Sequence, residues 1–126
     1  MPQAASDKQW PAELDALIAA PEHHKLLFEN EWVRALDTSI PTGHMTHVHV
    51  HQFPSAPYFL SWSDFIRYDA EGNVIVDSRT LAKIPAVGAA LWSGPPTPHA
   101  LKNIGTNDLH VISVEVKMKI LKQADR

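Results

Sequence analysis

From residue 31 onward the apolar positions recur with a period of two, in short runs rich in Val, Ile, Tyr, Phe and Trp that are broken by Gly, Pro, Asn and Asp. That period belongs to half-buried strands, and it predicts strands over 31–40, 46–52, 57–61, 63–69, 74–78, 89–92, 98–104 and 109–117. Upstream the spacing is helical. A helix is expected to open at Pro11, a favoured first-turn residue, to present Leu14, Leu17 and Ile18 on one face, and to end at Pro21. Asp69–Asn73 and Gly105–Asp108 read as hairpin turns. Many short strands behind one short N-terminal helix predict an all-β sandwich or barrel. No repeat or linker interrupts the chain, so the expected organisation is a helical segment over 1–25, one β domain over 26–117 and a tail over 118–126.

Composition narrows the function. The chain has 126 residues, 44% hydrophobic and 20% charged, enough for one packed core. No apolar run approaches the ~20 residues of a membrane span and the first residues lack a signal-peptide pattern, so a cytoplasmic protein without a membrane partner is expected. A formal net charge of -3 argues against a nucleic-acid partner. With no cysteine, disulfides and thiol chemistry are excluded, and any metal must be held by imidazole and carboxylate. No Gly-x-Ser-x-Gly elbow, phosphate loop or glycosidase-type carboxylate pair is present.

The unusual feature is eight histidines, four of them within residues 44–51. In a strand His47, His49 and His51 share one face, adjacent members being ~7 Å apart and the outer pair ~13 Å apart. Two of the three can therefore meet one ion, and all three only across a bulge. A further imidazole must come from elsewhere, and His99, at the start of a later strand behind Gly94-Pro95-Pro96-Thr97-Pro98, is the candidate. His23, His24 and His44 have no partner spacing and read as ordinary surface or core groups.

The spacing resembles the cupin superfamily. Its first motif (Gly, five residues, His-x-His, three or four residues, Glu, six residues, Gly) is matched by Gly43, His49 and His51. Its second (Gly, five residues, Pro-x-Gly, two residues, His, three residues, Asn) is matched by Gly88, His99 and Asn103. The departures are Ser55 at the glutamate position, Trp62 at the closing glycine, and Gly94 and Pro96 in reversed order. Residues 26–117 also look like a group of small single-domain bacterial cupins. The resemblance implies an antiparallel double-sheet jelly-roll barrel, often a homodimer. It also implies that His49, His51 and His99 hold a divalent transition metal, Zn, Fe, Mn, Ni or Cu, without the usual anionic ligand.

The expected function is then a metal-dependent enzyme, of oxygenase or isomerase/lyase type, acting on a small polar metabolite inside the barrel. His47 and His110 are the candidate catalytic bases, since imidazole titrates near neutral pH. His110 shares an alternation with Ile112, Val114 and Val116 that is expected to face inward. The alternative is a non-catalytic small-molecule or metal-binding cupin whose degenerate motifs record a lost active site. Phe53, Tyr58, Phe59 and Trp92 read as core packing, and Trp62 as a ring that either fills the pocket mouth or reshapes the hairpin there. Arg34 and Arg67 read as solvent-facing, either being able to clamp a substrate carboxylate only if it turned inward.

Overall fold

The structure is a computed structural model that describes residues 10–84 and 87–117; the expected tail over 118–126 and the first nine residues of the N-terminal segment lie outside the described residues. Among the described residues, seven strands form two antiparallel sheets. β1 (His24–Glu29), β2 (Val33–Ile40), β7 (Leu109–Val116) and β3 (Ser55–Ser61) make one sheet in the order β1-β2-β7-β3, and β5 (Val74–Asp77), β4 (Phe65–Asp69) and β6 (His99–Asn103) make the other in the order β5-β4-β6. The expected all-β double-sheet architecture is therefore present.

Alternation decides which side chains enter the space between the sheets. Arg34, Leu36, Thr38 and Ile40 of β2 stand opposite Glu115, Ser113, Val111 and Leu109 of β7, and directly opposed residues of an antiparallel pair share a face. Ile40, Leu109 and Phe65 are the buried centre of an apolar cluster on which Phe59, Trp62, Val76 and Leu101 pack. This cluster lies at the Asn103 end of β6, roughly 13 Å along the strand from His99 at the other end.

Four local expectations are corrected. The helix breaks in two, into a 3-10 turn over Ala12–Leu14 and one α-turn over Ala16–Ala19, because Asp15 is extended. Its carboxylate caps Leu17 N at 3.1 Å and its backbone bridges Val50. Ala16 and Ala20 are buried in place of Ile18, which is 61% exposed. Residues 24–29, which straddle the expected boundary at residue 25 and carry no predicted strand, form β1, whose apolar residues mostly face solvent and so show no alternation. The segments 46–52 and 89–92 run beside β6 and β3 as isolated bridges and not as full strands. In the first, Thr46 Oγ1 takes the Leu101 N–H that a backbone carbonyl would take; in the second, the segment runs along Pro57, which has no N–H to donate.

The Asp69–Asn73 turn does join a hairpin, β4 to β5, with Asp69 Oδ1 accepting from Glu71 N and Asn73 N and Gly72 at φ +90°. Gly105–Asp108 instead crosses from one sheet to the other. Asn103 pins that crossing: its Nδ2 donates to the Ile40 and Asn107 carbonyls, and its Oδ1 accepts from Ser63 Oγ and Gly105 N. A Cβ on Gly105 would sit 2.1 Å from Ser63 Oγ and 2.8 Å from the Asp64 backbone nitrogen. Gly105→Ala should therefore cost about 1–3 kcal/mol through overpacking. Gly94→Ala, which meets nothing within 4 Å, should be near neutral. Urea midpoints of the two variants check this, and equal midpoints would refute it.

Candidate metal centre

Four imidazoles converge at the end of the barrel away from the apolar cluster. His49 and His99 are backbone partners, His49 N donating to the His99 carbonyl at 2.9 Å and His99 N to the His49 carbonyl at 3.0 Å, so their side chains leave on the same face. Their ring centroids are 4.6 Å apart. His51 lies 5.1 Å from His49 and 5.9 Å from His99. The fourth ring is His24, at the head of β1 opposite Thr38, 4.5 Å from His49 and 5.4 Å from His51. One ring nitrogen each from His24, His49 and His51 lie within 4.8 Å of one another.

The hydrogen bonds select the tautomer. A carbonyl oxygen can only accept, so the ring nitrogen facing it carries the proton and the other keeps its lone pair. Nδ1 donates to the Ala20 carbonyl in His24, to that of His47 in His49 and to that of Thr97 in His99, at 3.0, 2.8 and 2.8 Å. His51 Nδ1 lies 2.8 Å from Glu115 Oε2. In all four rings Nδ1 is engaged and Nε2 is left for an ion, the arrangement by which outer partners orient metal-binding histidines. His24, His49 and His99 are also held neutral. Burial, then the charge of His51, lowers His24 to about 4; burial, then His99, lowers His49 to about 2; burial, then Arg67, lowers His99 to about 3.

Behind His51 stands a buried ionic chain. Glu115, with no exposed surface, accepts from Arg34 Nε at 2.7 Å as well as bonding His51. Arg34 in turn donates through Nη1 and Nη2 to Asp15 at 3.2 and 2.6 Å. Arg34 thus faces inward and is paired, a correction to its solvent-facing reading. The chain also accounts for the break in the helix, since Asp15 is held between Arg34 and the Val50 backbone.

Of the residues singled out from sequence, His49, His51 and His99 are brought together. His47 and His110 are not brought to them. Val48 is a bend, which turns His47 out to solvent, 3.5 Å from Glu22. His110 lies on the β7 face opposite to Leu109 and Glu115, where it bonds Asp37 Oδ1 at 2.8 Å. The inward alternation of β7 is that of Leu109 and Glu115, not that of His110. Trp62 stacks edge-on with Phe59 and Phe65 in the apolar cluster, whereas Tyr58 and Trp92 are exposed. His23 and His44 contact each other at 3.2 Å in a separate outer cavity with Glu22 and His47.

Sequence reading missed His24 and Glu115. No spacing motif links His24 to residues 49–51, but Glu115, a carboxylate in step with Leu109 along an apolar strand, was a visible signal.

Solved structures share this architecture. A cupin domain from Bordetella pertussis Tohama I superposes with a TM-score of 0.59 at 17% identity, over 75% of this chain and 91% of its own. An RmlC-like cupin family protein with a double-stranded β-helix fold, from Methanocaldococcus jannaschii, gives 0.51 at 11% identity, over 82% and 84%. No family model matches the chain, and no curated protein matches it by sequence. The fold is the cupin double-stranded β-helix. Within it, this chain presents a cluster of four histidines, three of them held neutral by burial. Among the described residues no helix is long and apolar enough to cross a membrane.

Proposed function

We propose that the chain is a metal-dependent cupin acting on a small polar metabolite inside the barrel, with His24, His49 and His51 as ligands and His99 beside them as a fourth. The observation that carries this is the common tautomer: four clustered rings, three of them buried, have their Nδ1 atoms engaged, and one ring nitrogen each of His24, His49 and His51 converges on one space. The residues fit a divalent transition ion, because neutral imidazole is the ligating form and an all-nitrogen set suits Zn, Fe, Mn, Ni or Cu. When bound, such an ion supplies Lewis acidity or dioxygen chemistry. Glu115 supplies negative charge one bond away, through His51. The Ala20, His47 and Thr97 carbonyls hold three of the rings in orientation.

Purified protein should contain about one transition-metal ion per chain by mass spectrometry, and loss of even an outer partner of this kind typically costs about 10- to 100-fold in metal affinity. His24→Ala, His49→Ala and His99→Ala should each lose most of the metal. A metal-free protein that cannot be reconstituted would overturn the reading, and full occupancy in His24→Ala would remove that residue from the ligand set.

A second reading, binding without turnover, is favoured by one observation: neither His47 nor His110, the bases expected from sequence, reaches the cluster. Chelator-sensitive product formation across a metabolite panel supports the enzyme, and ligand affinity without turnover supports the binding module.

A further inference from the structure

Among the described residues, one cation inside the barrel stands without a counter-charge. Phe65, Arg67 and Asp69 of β4 stand opposite Asn103, Leu101 and His99 of β6, and Arg67 is also opposite Val76 of β5. Phe65, Leu101 and Val76 all belong to the inner apolar cluster, so Arg67 is on the inner face, correcting its solvent-facing reading. It lies between that cluster and the histidines, one step of the alternation, roughly 7 Å, from the level of His99. Its Nε is buried with no hydrogen-bond partner, and its guanidinium carbon lies 5.9 Å from the Phe65 ring centroid. Among the described residues it forms no ion pair, whereas Arg34, the other inward arginine, has two carboxylates.

Guanidinium does not shed its proton in proteins, and an uncompensated buried cation is costly. A chain that keeps one beside a cluster of ligating groups has a place for an anion. We propose that the barrel interior receives a small carboxylate, gripped by Arg67 while the rest of the molecule faces the histidine cluster. The planar N–H edge of arginine matches the two oxygens of a carboxylate, and the Phe65, Leu101 and Val76 side chains give the site apolar walls. The second half of this assignment rests on the metal-centre reading; the first does not.

The test is calorimetric titration of the full chain, metal-free and zinc-loaded, with acetate, pyruvate and succinate, and with succinamide and inorganic phosphate for comparison. At least one carboxylate should bind saturably, about tenfold or more weaker in Arg67→Gln and intermediate in Arg67→Lys, with no succinamide binding. Failure of all three carboxylates, or equal binding by Arg67→Gln, overturns the proposal, and phosphate binding more tightly than every carboxylate overturns the ligand class. Carboxylate binding through Arg67 in a chain that takes up no metal sinks only the metal reading; metal uptake without carboxylate binding sinks only this one. Thermal unfolding in anion-free buffer gives an independent check. Arg67→Met should raise the midpoint and abolish the further rise that carboxylate produces in the wild type, and a lowered midpoint would show that Arg67 supports the fold itself and would overturn the proposal.

Discussion

Glu115→Ala is expected to destabilise the fold by about 3–5 kcal/mol, the usual cost of removing one member of a buried ion pair. Glu115 is fully buried and satisfies two groups at once, Arg34 Nε and His51 Nδ1. Truncation leaves Arg34 held by Asp15 alone and leaves the His51 N–H without an acceptor. Asp15 softens the loss, which favours the lower half of the range. Glu115→Gln keeps the shape and removes the charge, so it should cost less. Urea unfolding of the metal-free variants measures both, and an Ala variant within about 1 kcal/mol of wild type would mean that the buried chain contributes little net stability. The same substitution should weaken metal retention, since His51 would lose the partner that orients its ring.

Acid should unfold the metal-free protein well before its carboxylates titrate. His24, His49 and His99 sit at about 4, about 2 and about 3 in the folded chain against 6.5 when unperturbed. A folded-state value below the unfolded one means that the unfolded chain binds more protons, so stability rises with pH through this window. Above 6.5 both states are neutral and nothing is lost. Below it the unfolded chain takes up protons that the buried rings refuse, and at pH 5 each group costs about 2 kcal/mol, from 1.36 kcal/mol per pKa unit. The three rings interact, so their sum is on the order of several kcal/mol. Unfolding free energy measured between pH 7.5 and 5 should fall accordingly, and a flat profile would refute the buried, neutral state of the rings. Bound metal competes with protons for the same lone pairs, so saturating zinc should shift the acid midpoint downward.

These two expectations concern parts of the site that differ in how far the chain alone shows them. His49 and His51 were legible because strand alternation put them on one face with His47 and the resemblance to the cupin His-x-His motif picked them out of the three, and His99 because turn-forming residues mark where its strand begins and the second motif falls on it. His24 was not legible. Its place depends on β1 pairing with β2 in a register that sets it opposite Thr38, and β1 exposes most of its apolar side chains, which erases the alternation that would have announced a strand. His110 shows the same limit from the other side: three apolar neighbours in its alternation pointed inward, yet Glu115, paired with Arg34, belongs to the interior.

By itself, then, the order of residues determined an all-β chain punctuated at its turns, the spacing that resembles the two cupin motifs, and three of the four clustered histidines, because each depends on residues close along the chain or on a repeating period. Only the tertiary structure decided that His24 joins them, that Glu115 backs His51, that Arg34 is paired and Arg67 is not, and that His47 and His110 lie outside. Those outcomes depend on register between distant strands, and a shift of one residue moves a side chain from the barrel interior to solvent.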